Sequence, residues 1–146
     1  MVNSNWTREV SGMNDNAAWA EVKEASVSFL TAFDNLDLDL FCAAIAQDAT
    51  MFMPFANVPN RLNGIAEIRD AFEPFFDQER CNSDGPPYLN LQPQNFEIQM
   101  IGVAALVTFH LNRPTHFSRR SIVFEKRQKK WLLVHLHASN LPVESG

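Results

Sequence analysis

The sequence predicts an α+β fold in which helices come first and a run of antiparallel strands follows. Three observations carry this. Apolar residues recur every three to four positions over 18–33 and again over 65–76, which is the spacing of one buried helix face. The segment NSDGPP at 82–87 is the strongest loop signal in the chain. Beyond it the apolar period drops to two, as strands with one buried face require. With 146 residues, 46% of them apolar and 20% charged, the chain suits one domain that buries roughly 70% of its unfolded surface. Such a core needs no metal or disulfide to close it.

Taken in order, residues 1–13 (MVNSNWTREVSGM) show no period and are expected to form a flexible N-terminal arm, leaving 14–146 as a single domain. Asn14 or Asp15 can cap a helix that runs to about Asp34, with Ala18, Trp19, Val22, Ala25, Val27, Phe29, Leu30 and Phe33 in helical register. Asp37 is placed to cap a second, short helix to about Ala46 that buries Leu38, Phe41, Cys42 and Ile45. ATMFMPF then alternates toward Pro54, where a strand can end at the loss of one ladder donor. An open loop with Asn57, Pro59 and Asn60 leads into RLNGIAEIRDAFEPFF, a helix that Gly64 introduces. Four strands close the chain, at about 88–100, 103–112, 116–126 and 131–139, turning at Gly102, at Arg113–Pro114 and at a basic tip.

Composition narrows the function classes. A net charge of −5 argues against nucleic acid, whose phosphates need a concentrated basic face. Lys126, Arg127, Lys129 and Lys130 form a basic cluster that a solvated hairpin tip explains. Cys42 and Cys81 fit neither a disulfide framework nor a CxxC metal knuckle and are read as free thiols. There is no signal-peptide pattern and no run of eighteen apolar residues, so neither secretion nor a membrane partner is expected, and the location is read as cytoplasmic.

Four stretches carry a resemblance: FLTAFDNLDLDLF, DATMFMPFAN, LNGIAEIRDAF and RRSIVFEKRQKKWLLVHLHASNLP. In their order and spacing they resemble the nuclear transport factor 2-like superfamily, with its cystatin-like cone fold, over about residues 17–142. The likeness is strongest to the association domain of calcium/calmodulin-dependent protein kinase II and to SnoaL-like small bacterial proteins. It implies N-terminal helices packed on a curved, mostly antiparallel sheet around a conical pocket, in homodimers or higher oligomers formed through the sheets. Relatives include isomerases, dehydratases, epoxide hydrolases, polyketide cyclases and pure scaffolds, so the fold alone does not choose a function.

The residues test those chemistries. Isomerase-like relatives carry a carboxylate base just before the proline that ends the first strand, and Met53 stands there in this chain; a thioether cannot take the proton. The tyrosine they use on the first helix is also missing, since Tyr88 belongs to a later segment. An epoxide hydrolase needs two carboxylates in the pocket strands, where Glu97 and Glu125 are poorly placed. A dehydratase or cyclase with a histidine base remains open through His110, His116, His135 and His137. Two histidines at i and i+2 can share an ion, but catalytic zinc takes three protein ligands and structural zinc four, so no metal and no cofactor are expected.

Strand alternation assigns faces. In WLLVHLHASN (131–140), Trp131, Leu133, His135, His137 and Ser139 share one face and Leu132, Val134, Leu136 and Ala138 the other. The apolar set suits the interior, which puts Trp131, His135 and His137 at a dimer interface. By the resemblance, Ala138 and Thr108 stand where the kinase domain carries pocket arginines. If Thr108 lines the cone, His110 does too, and becomes the base if the protein is an enzyme. A hairpin tip of two or four residues sets Arg119 opposite Ala138, whereas three residues would bring in Arg120; the spacing to Ser121 favours Arg119. The expected ligand set is therefore Thr108, His110, Arg119 and Ala138, around an unknown small molecule in an apolar pocket.

Overall fold

The structure, a computed structural model, describes residues 16–143. The arm expected over 1–13 and the cap expected at Asn14 or Asp15 lie outside the described residues. Helix α1 (Asn16–Asp34) buries Val22, Ser26, Phe29, Leu30 and Phe33 along one stripe, while Val27 points off it and is exposed. Ser26 survives in that stripe because its hydroxyl donates to the Val22 carbonyl one turn back, at 2.8 Å. Past its end at Asp34, Leu36 adopts a left-handed φ of 56°, and the Asp37 amide closes the last turn onto the Ala32 carbonyl at 2.9 Å. Asp37 then caps α2 (Leu38–Ala43) by accepting from the Leu40 amide at 3.1 Å.

The second helix is shorter than its sequence suggests. Ile45 begins strand β1 (Ile45–Phe52), and its burial comes from the sheet. After the short β2 (Leu62–Asn63), α3 (Ile65–Asn82) starts at Gly64, whose φ of 89° favours glycine. Glu67 reaches back to accept from the Asn63 amide at 2.8 Å, half of a capping box. Strands β3 (Gln94–Ile101), β4 (Ala104–Asn112), β5 (His116–Arg127) and β6 (Lys130–Pro142) complete a six-stranded sheet ordered β2-β1-β6-β5-β4-β3. Only the β1–β6 pairing is parallel.

The core forms where the helices meet the inner sheet face. Phe29, Phe33, Phe41, Phe72 and Phe76 pack at its centre, with Phe41 and Phe72 centroids 4.8 Å apart and Phe29 and Phe41 5.1 Å apart. Inner rows of the sheet read Ala105–Phe124–Leu133, Val107–Ile122–Leu136 and Phe109–Arg120–Ala138, taken across β4, β5 and β6. The segment before β3 folds back over α1. Asp34 accepts from the amides of Leu89, Asn90 and Leu91 at 3.1, 2.6 and 3.3 Å. Gly85 is required there, because an added Cβ would stand 2.4 Å from the Tyr88 ring.

One irregularity in β6 changes the assignment of faces. Val123 pairs with His135 and Phe124 with Leu133, so Val134 is an extra residue with no partner on β5. C-terminal to this bulge the faces are as expected, with Leu136 and Ala138 inside and His135, His137 and Ser139 outside. N-terminal to it they invert: Leu133 is buried in the core, and Trp131 turns to the helix side.

Candidate functional site in the cone

The inner face of β4 carries Val107, Phe109 and Leu111, all buried, so Thr108 and His110 project from the outer face. Arg119 pairs with Ser139 and lies on that outer face as well, donating from Nε to the Ser139 hydroxyl at 3.3 Å. The residues expected to meet around a ligand are therefore divided. Ala138 is inside, while Thr108, His110 and Arg119 line a polar outer groove with Ser121 and His137. The tip does have two residues, Gln128 and Lys129, both in the left-handed region that a tight hairpin turn uses. The bulge at Val134 then shifts the register by one, and Arg120 arrives opposite Ala138.

Arg120 enters the interior between Phe109 and Ala138, where the alanine leaves room for a long side chain. Its Nε donates to the buried Ser118 hydroxyl at 3.1 Å, and its guanidinium carbon lies 5.9 Å from the Phe33 ring centroid, over the face of the ring. Among the described residues no carboxylate pairs with it. Burial, with the nearby charge of Arg113 as a lesser cause, pushes its pKa down to about 10. The group still carries its charge at neutral pH.

Arg120 lines a cavity of about 280 Å³ at the open end of the cone. Phe33, Phe55 and Phe75 form an aromatic wall, with Phe55 and Phe75 centroids 5.3 Å apart. Met53, Leu89 and Leu111 add apolar surface, so the position that holds a base in isomerase-like relatives faces the cavity as a thioether. The polar lining is Arg113, His116, Arg120, Asn140 and Glu79. The β4–β5 turn supplies two of these, since the Arg113 amide donates to the His116 carbonyl at 3.0 Å and brings both side chains to the mouth. Arg113 Nη1 is occupied by the Leu89 carbonyl at 3.0 Å. Burial first, and then the charges of Arg113 and Arg120, hold the His116 pKa below the ordinary imidazole value, so the ring is neutral at pH 7.

On the outer face, Thr50 Oγ1 meets His135 Nδ1 at 2.7 Å, and Phe52 packs on the rings of His135 and His137 at centroid distances of 5.9 and 5.3 Å. Trp131 does not join them, because its indole N–H donates to Glu21 of α1 at 2.9 Å. At the basic tip, Lys126 pairs with Glu21 at 3.2 Å and Arg127 with Asp48 at 2.7 Å. Among the described residues, no cluster of three or more His, Cys, Asp or Glu side chains could hold a metal, and no helix is long and apolar enough to cross a membrane.

Helices on one face of a curved, unclosed, mostly antiparallel sheet, with a cavity at the open end, define the α+β cystatin-like cone. The chain belongs to the SnoaL-like domain family, whose pattern it matches over residues 22–144. No curated protein matches it significantly. Among solved structures it is similar to an NTF2-like protein of unknown function from Pseudomonas putida, with 17% identity, 84% of this chain and 86% of that one covered, and a TM-score of 0.72. It is similar also to the association domain of C. elegans CaMKII, at 23% identity, 86% and 98% coverage and a TM-score of 0.65. A third is a candidate dehydratase of the NTF2-like family from Streptomyces avermitilis, at 17% identity, 89% and 99% coverage and a TM-score of 0.70. At these identities the likeness speaks for the fold.

Proposed function

We propose that this protein binds a small amphipathic carboxylate in its cone, with Arg120 reading the anion and the wall of Phe33, Phe55 and Phe75 taking the apolar part. One observation carries the reading: Arg120 is a half-buried cation on the cavity wall, and no described carboxylate pairs with it. Burying an unpaired charge is costly, and a ligand that supplies the counter-charge recovers that cost on binding. Ala138 belongs to the site as the small neighbour that admits Arg120. Titration of 3-phenylpropionate by calorimetry tests the reading; Arg120→Met is expected to weaken binding at least about tenfold, the scale of a lost charge-assisted hydrogen bond.

The outer sheet face, with Thr108, His110, Arg119, His135 and His137, is the surface we assign to a second copy of the chain. Phe52, 39% exposed at the edge of this patch, supports it. Sedimentation equilibrium at micromolar concentration should then give a dimer or a larger oligomer.

A catalytic alternative of the dehydratase or cyclase kind uses His116 rather than His110 as the base, because His116 lines the cavity and is neutral at pH 7. Its signature is turnover that rises with pH through a value below 6.5 and disappears in His116→Gln.

A further inference from the structure

We propose that the ligand is an amino acid with an apolar side chain, its carboxylate held by Arg120 and its ammonium by Glu79. The inference rests on the anion-binding reading above and adds a second pole to it.

Phe75 and Glu79 are four residues apart on α3, so they share a face, and both line the cavity. Glu79 makes no hydrogen bond or ion pair with any described residue. Two opposite charges thus face one hollow without meeting. An arginine and a carboxylate free to approach would close into a two-bonded fork. Here each is held on its own scaffold: Arg120 by Ser118 and the Phe33 ring, and Glu79 by the helix that also supplies Phe75.

The remaining polar groups do not upset this division. Arg113 is turned to the Leu89 carbonyl, while His116 and Asn140 can offer neutral hydrogen bonds. A simple carboxylate would satisfy Arg120 but leave Glu79 facing a second negative group. A simple amine would do the reverse, beside two guanidiniums. A zwitterion with an apolar side chain pairs both poles and fills the aromatic wall between them.

The test is a calorimetric titration, up to tens of millimolar, of two probe sets: L-phenylalanine with 3-phenylpropionate and phenethylamine, and L-leucine with 4-methylpentanoate and 3-methylbutylamine. In at least one set the amino acid should bind about tenfold more tightly than either partner lacking one charge. Glu79→Gln should erase its advantage over the acid without weakening the acid, and Arg120→Met should weaken both. Glutamine nearly matches glutamate in size at this half-buried position, and an unchanged thermal melt checks the fold. If the acids bind as well as the amino acids, or if Glu79→Gln leaves the preference intact, the second pole is overturned while the anion site stands. If no probe carrying a carboxylate binds, or Arg120→Met changes nothing, both readings fall.

Discussion

Arg120 and Arg119 are adjacent in sequence and opposite in meaning. One points into the cone above Phe33, and the other lies on the outer sheet beside Ser139. A half-buried guanidinium without a carboxylate partner is a poor way to stabilise a fold, so Arg120→Met should leave stability unchanged or raise it by about 1 kcal/mol while weakening ligand binding. A loss above about 2 kcal/mol in urea unfolding would instead make Arg120 structural. His116 allows a test by pH. Its folded pKa lies below the ordinary value of 6.5, so the folded state binds fewer protons than the unfolded one, and its contribution is complete above that value and is lost as pH falls toward the folded pKa. His135 has the same sign, from burial and then the neighbouring His137. Stability should therefore decline below about pH 6.5, and His116→Gln should remove part of that decline, as read from melts at pH 5.5 and 7.5.

At the scale of elements, the fold was largely legible and the candidate site was not. Helical periodicity located α1 and α3, Asp37 announced the cap of α2, and alternation after NSDGPP located the last three strands closely. The site depends on which of two adjacent residues faces inward, and that parity was reversed by a single unpaired residue, Val134. Nothing local marks it: valine is a good strand former, and the apolar run WLLV gives alternation no polar residue to break on. Once register slips by one, Arg120 rather than Arg119 stands opposite Ala138; Thr108 and His110 are set inside by the family resemblance and not by register, and the burial of Val107, Phe109 and Leu111 turns both outward. Arg113 and His116 were in plain sight at the β4–β5 turn, and two-residue steps from the buried Leu111 and Ser118 would have placed them inside. The loop over the cavity follows from Asp34, a negative charge at a helix C-terminus, where the dipole disfavours it. Its three bonds to Leu89, Asn90 and Leu91 offset that. Asp34→Ala should cost about 2 kcal/mol and raise amide exchange over 88–91, whereas normal protection there would show that packing alone holds the loop.

The whole molecule has two sheet faces with separate tasks. Helices and phenylalanines cover the inner face except at the cavity, while the outer face carries histidines, hydroxyls and Arg119 and is assigned to a second copy. Arg119 lines the outer groove and not the cavity, so charge reversal there, Arg119→Glu, should shift the oligomer toward monomer in sedimentation while leaving ligand affinity intact. The most direct test compares calorimetric titrations of 3-phenylpropionate into the unaltered protein, Arg119→Met and Arg120→Met. Equal binding by the first two and at least a tenfold loss in the third are expected; binding retained in Arg120→Met and lost in Arg119→Met would overturn the assignment of Arg120 as the anion-reading residue.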